Sequence, residues 1–339
     1  MSNTSLPASL DSKMPVSTRS RVVGIMTGIL RVRELFMVIL ILVMSIIMAI
    51  LSPYFLHVSN FVAIMRGFAM EGLVVVGMAT LLIAGKFDLS VGSIMALSGI
   101  IAAWLLTAAK MPYAVAILGG LGVGLLSGTI NGIVVTRIKV NPLIATLGMM
   151  SVARGVALGI TEGHPVINIP QGFAFIGQGS VLGVPLIIIY MVVIVIIADV
   201  LLRRGRAFRQ LYYVGSSENA ARLSGINVDR VVFLAFIASG LLTALAGVIS
   251  MARLTSGVPT AFAGVELRMI AACVIGGCSL SGGEGTILGS LLGLIFMALV
   301  TNALTLFGVS IYWEGVVTGT ILTLAVSFDM ISRRRLKAQ

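Results

Sequence analysis

The stretch GKFDLSVGS, residues 85–93, sets Lys86, Asp88 and Ser90 between two strongly apolar runs. Asp88 followed by Leu-Ser reads in two ways. It is a wetted turn, or it caps the following helix while Gly85 ends the preceding one. Further polar side chains lie inside apolar runs: Asn131, Thr146, Arg154, Thr243, Thr301 and Asn302. Such residues are costly in hydrocarbon and turn toward the interior of a bundle. Neutral Asn and Thr supply the donors and acceptors that a hydroxyl-rich solute needs. Asp88, Ser90, Asn131, Thr146, Arg154 and Asn302 are therefore the candidates for a solute pathway or gate. Arg154 is the most expensive of them. It either pairs with an acid such as Glu71 or Glu314, the reading favoured here, or touches the solute directly.

No catalytic constellation accompanies these residues. G-x-x-x-x-G-K-[ST], H-E-x-x-H and G-x-S-x-G are all missing, so the chain has no P-loop for ATP and no evident nucleophile or zinc site. His57 and His164 are isolated, which excludes a metal site built on them. Cys273 and Cys278, five apart, are expected in one helix, facing different sides as small core residues rather than forming a disulfide.

The elements that must position these groups follow from composition. The chain has 339 residues, 58% hydrophobic and 10% charged, with a mean hydropathy of +1.11. Soluble domains carry about 25% charged residues, so the fold class is an all-α integral membrane protein. Apolar runs fall near 35–51, 68–84, 89–108, 114–136, 142–160, 184–202, 231–250, 263–279, 286–306 and 312–331. Most approach the roughly 20 residues of a spanning helix, which predicts about ten. With the N-terminus inside, alternation puts 18 of the 23 Lys and Arg on the inner side, and an even count also keeps the RRR tail there. Positive charge marks the cytoplasmic loops, so the prediction is N-in, C-in. It also accounts for the net charge of +11 without nucleic acid. One transmembrane domain, 35–332, lies between basic tails at 1–34 and 333–339. The Ser-, Thr- and Pro-rich residues 1–20 are expected to be disordered, and no cleavable signal is evident. Glu266 and Arg268 fall near the outer surface, as candidates to meet a docking protein.

Two further patterns concern organisation. GGLGVGLLSG, 119–128, sits inside an apolar run and reads as a helix-packing face. A shift of 191 residues lays Gly85, Leu89, Ser90 and Gly92 on Gly276, Leu280, Ser281 and Gly283. The two stretches are expected to be paired helix breaks whose helix N-termini offer N–H groups to a ligand or gate. The longest inner loop, 203–230, contains SSENAARLSG, where Ser216 or Ser217 can cap a short helix that Gly225 ends. That helix is either a plain interfacial helix or a docking element for a soluble partner.

Four stretches carry a family resemblance. YVGSSENAARLSGINVDRV (213–231) is similar to the cytoplasmic coupling loop of bacterial ABC-importer permeases of the ribose, xylose and arabinose type. LIAGKFDLSVGSIMALSG (82–99) resembles their G-G-x-D-L-S-V-G-S, with Lys86 and Phe87 where a glycine and usually an isoleucine occur. SGTINGIVVTRIKVNPLIATLGMMSVARGVAL (127–158) and VIGGCSLSGGEGTILGSLLG (274–293) resemble two further motifs in the same order. The resemblance implies a monosaccharide importer subunit in a bacterial inner membrane, itself not an enzyme. It implies cytoplasmic ATPase subunits carrying ATP and Mg, a periplasmic sugar-binding protein, a second permease chain, like or unlike, and surrounding lipid. It assigns Gly215, Glu218, Asn219, Ala220, Ala221 and Gly225 to the ATPase-coupling loop, with Ala220 and Ala221 small enough to enter a groove on the ATPase. A branched-chain amino acid permease, an ion-coupled transporter and a membrane scaffold or enzyme are the alternatives.

Overall fold

The computed structural model of the chain describes residues 17–337 and is almost wholly helical. The helices are α1 (Ser17–Leu51), α2 (Val58–Ile83), α3 (Val91–Thr107), α4 (Tyr113–Thr136), α5 (Pro142–Thr161) and α6 (Gln171–Gln178). A two-residue hairpin, β1 (Ser180–Val181) and β2 (Val184–Pro185), follows. Then come α7 (Leu186–Arg204), α8 (Arg206–Ser216), α9 (Glu218–Leu223), α10 (Val228–Leu254), α11 (Val265–Ile275), α12 (Ile287–Leu306) and α13 (Glu314–Lys337).

Each apolar run of the sequence carries a helix. Among the described residues, seven helices are long and apolar enough to cross a membrane: α1 from Glu34, α2, α4, α5, α7, α10 and α12. α3 and the Glu314–Ser327 part of α13 are apolar but shorter. α11 has only 11 residues. The chain is thus an all-α, multi-pass membrane protein. Three boundaries differ from expectation. α2 begins at Val58, because polar Ser59, Asn60 and Arg66 do not interrupt a helix whose backbone bonds are internal. α11 stops at Ile275, so Cys278 lies in the following loop, not on the helix of Cys273. α1 starts at Ser17, inside the segment expected to be disordered; residues 1–16 lie outside the described residues.

α10 is the centre of the bundle and packs most extensively on α4, α2 and α3. The α4 contact explains the glycine-rich run. Gly120, Gly124 and Gly128 recur every four residues and so share one face. A Cβ on Gly124 would strike the Gly240 carbonyl oxygen, and one on Gly240 would strike that of Gly124. The two backbones therefore touch, as small residues allow in membrane helices. By contrast α1, α5 and α7 leave large apolar side chains exposed, among them Leu42, Ile46, Ile144, Val152 and Ile196.

The connections gather in two groups. Residues 84–90, 137–141, 205–227 and 276–286 are linked by hydrogen bonds and ion pairs at one end. At the other, Val166 bridges Gly257, and Arg154 reaches the 255–264 loop.

Candidate functional site

Both stretches of the suspected repeat interrupt helices. α2 ends at Ile83 and α3 begins at Val91; α11 ends at Ile275 and α12 begins at Ile287. Asp88 is fully buried, so the wetted-turn reading is wrong. Its Oδ1 accepts the Ser90 N–H at 2.8 Å and the Ser90 hydroxyl, which forms a short contact. Asn131 of α4 donates to Asp88 Oδ2 at 3.4 Å and to Ser90 Oγ at 3.1 Å. Asp88 closes a turn onto Ser90 and joins the start of α3 to α4. One N–H at each helix start has a side-chain acceptor, the Ser90 N–H just before α3 and the Gly289 N–H in α12. Asp88 accepts the first, and Thr286 Oγ1 accepts the second at 2.9 Å.

The two breaks touch each other. The Gly283 N–H donates to Ile83 O at 2.9 Å. Gly215, the next-to-last residue of α8, lies against both, since a Cβ there would overlap Ile83 O and Gly283 N. Tyr212 of α8 donates to Gly285 O at 2.9 Å. Burial pushes its hydroxyl up to about 12, so it stays a donor at neutral pH. α8 is thus clamped onto both loops.

α9 follows at once. Ser217 caps it by accepting the Ala220 N–H at 3.2 Å, and Gly225 turns away with φ +79°. Ion pairs moor it: Lys86 Nζ to Glu218 Oε1 at 2.7 Å, and Arg222 to Asp229 at 2.8 Å, with Lys139 on the same Asp229 at 2.6 Å. Asn219 and Ala220 are exposed, but Ala221 is only 2% exposed and packs into the chain's own core. It cannot enter a groove on a partner. Leu223 is 91% exposed instead. Its signal was in the sequence, a large apolar residue on a short polar helix, and went unused.

The remaining candidates are placed elsewhere. Thr146 is buried and donates to Pro142 O at 2.8 Å within α5. Asn302 exchanges amide hydrogen bonds with Asn60 at 2.8 and 3.3 Å, tying α12 to α2. Arg154 pairs with neither Glu71 nor Glu314. Its Nη1 donates to the carbonyls of Ala261, at 2.9 Å, and Pro259, in a short contact, bracing the 255–264 loop. Both acids belong to Arg268, at 3.0 Å for Glu71 and 3.1 Å for Glu314, so that arginine joins α2, α11 and α13. Glu266 accepts the Gly264 N–H at 3.1 Å. Cys273 and Cys278 are free and buried. No group of residues among those described could hold a metal ion.

A polytopic helical bundle with paired breaks, both clamped to α8 beside the moored α9, defines a class that comparison with known proteins makes specific. Residues 60–326 match the family described as "Branched-chain amino acid transport system / permease component", and the chain belongs to it. The ribose import permease protein of Bacillus subtilis (strain 168) is 41% identical over 289 residues, covering 85% of this chain and 89% of that one. The ribose import permease protein of Escherichia coli (strain K12) is 38% identical, covering 86% and 92%. The L-arabinose transport system permease protein of the same strain is 36% identical, covering 88% and 90%. No solved structure matches the chain.

Proposed function

We propose that this chain is the membrane-spanning permease subunit of an ABC importer that moves a monosaccharide into the cytoplasm. One observation carries the reading: relatives named for ribose and arabinose import match at 36–41% identity over most of both chains. The family's printed description names branched-chain amino acids, yet these relatives are sugar permeases. A zwitterion also calls for charged pocket groups, whereas the membrane-embedded charges singled out here are occupied with one another or with backbone.

In this reading ten helices cross a bacterial inner membrane with both termini in the cytoplasm. The end that carries Lys86, Lys139, Glu218 and Arg222 is the cytoplasmic one, as the excess of basic residues in those connections requires. α9 docks on a separate ATPase that supplies ATP and Mg, presenting Asn219, Ala220 and Leu223. Gly215 and Gly225 shape its approach and its exit. The opposite end, with Glu266 and the 255–264 loop, receives a periplasmic sugar-binding protein. A second permease chain completes the pathway, and lipid covers the apolar faces. Asp88, Ser90 and Asn131 hydrogen-bond to one another, which suits a gate better than a sugar contact. Thr146, Arg154 and Asn302 position pathway helices.

The test is reconstitution of the permease in vesicles with its ATPase and binding protein. ATP-dependent uptake of labelled ribose or arabinose, lost without the ATPase, is the expected result. Uptake driven by a proton or sodium gradient alone, or uptake of leucine in place of both sugars, would defeat the reading.

A further inference from the structure

Lys86 is one of two positions, with Phe87, where this chain departs from the motif it otherwise follows, and its side chain has a partner. Its ammonium lies 2.7 Å from Glu218 Oε1, across 132 residues of sequence. Lys86 stands two residues before Asp88 in the 84–90 loop, and Glu218 opens α9. The two side chains are 19% and 43% exposed, so the pair is partly shielded from water. Shielding strengthens the attraction relative to a fully exposed pair.

The mechanics follow from what else the loop and α9 touch. α9 has a second mooring, Arg222 to Asp229, but that one leads to α10 and to Lys139. The Gly215 contact holds α8, not α9, against Ile83 and Gly283. Lys86–Glu218 is thus the direct polar tie between α9 and the loop that carries Asp88. Asp88 in turn fixes Ser90 at the start of α3 and Asn131 in α4.

The geometry points to the Lys86–Glu218 pair as a transmission link. It carries displacement of α9 into the 84–90 loop and so into the Asp88–Ser90–Asn131 cluster. Lys86 is a positioning residue, since it touches no solute. The inference rests on the proposed function, in which α9 is the element that an ATPase moves.

The experiment uses the full permease with its ATPase and binding protein in vesicles, with ribose and arabinose as probes. Sugar moved per ATP hydrolysed is measured for Lys86→Arg, Lys86→Gln and Lys86→Glu, alongside membrane abundance and capture of the ATPase. Lys86→Arg keeps the charge and should stay within about twofold of the parent. Lys86→Gln should lose about fivefold in sugar per ATP, and Lys86→Glu more, at unchanged abundance and capture. Full coupling in Lys86→Gln, or a loss that only follows abundance, overturns the link. A spin label at Leu223→Cys in the purified permease reads the link without any substrate. Its mobility should rise in Lys86→Gln and not in Lys86→Arg. Unchanged mobility in Lys86→Gln overturns the link whatever the transport result. A parent that moves neither sugar while the label does respond overturns the transport reading alone.

Discussion

Arg268 holds carboxylates from two other helices, Glu71 of α2 and Glu314 of α13, and its own side chain is 22% exposed. Removing it strands two acids at a bundle interface, and an unpaired buried charge costs about 3–5 kcal/mol. Arg268→Ala should therefore lower both folded yield and the unfolding midpoint in detergent. Adding Glu71→Gln and Glu314→Gln should restore part of the loss, since the stranded charges are then gone. A single variant as stable as the parent would remove the triad from the account of stability. Residue types made this site half legible. Glu71 and Glu314 stood out as acids that an arginine in an apolar run would seek, but Arg268, expected near the outer surface to meet a docking protein, is instead held between them. Which arginine answered them was not legible: Arg154 and Arg268 have the same chemistry, and only helix packing brings Arg268 to both acids while turning Arg154 to backbone carbonyls.

At the scale of elements, α4 and α10 form the tightest crossing, and α9 leaves Leu223 91% exposed. Gly124→Val should push the α4 and α10 backbones apart at Gly240, and such overpacking costs about 1–3 kcal/mol. Gly148→Ala on α5, where a Cβ meets nothing within 4 Å, should hold or slightly raise the unfolding midpoint, since alanine favours a helix interior over glycine. Equal behaviour of the two would refute the packing argument. α9 offers a sharper contrast. Ala221→Arg drives a guanidinium into the core and should cost folded protein, whereas Leu223→Arg should fold and lose capture of the ATPase. The glycine face was readable because a spacing of four on a helix is geometry. The helix at 218–223 was readable from its cap and its terminating glycine. Which of its alanines faces inward was not, because a helix of six residues is too short for periodicity to mark a face.

For the whole molecule, accessibility of single cysteines to a membrane-impermeant maleimide tests orientation. Leu223→Cys should react only from the cytoplasmic side, and Gly163→Cys, in the turn after α5, only from the outside. Labelling of both from one side would overturn the N-in, C-in arrangement. The parent's two cysteines are buried, which keeps the background low.

Taken by itself, the sequence determined membrane residence, the location of the apolar helices, the two breaks and the small helix near 218, along with the family. These rest on hydropathy, on charge and on local backbone chemistry, all of which are functions of neighbouring residues. Tertiary structure alone decided the pairings: Lys86 with Glu218, Asp88 with Asn131, Arg268 with Glu71 and Glu314, and Gly215 against Ile83 and Gly283. Each joins segments more than 40 residues apart in the chain. Nothing in local sequence encodes such distances. They are set when close-packed helices leave each costly polar group only a few reachable partners.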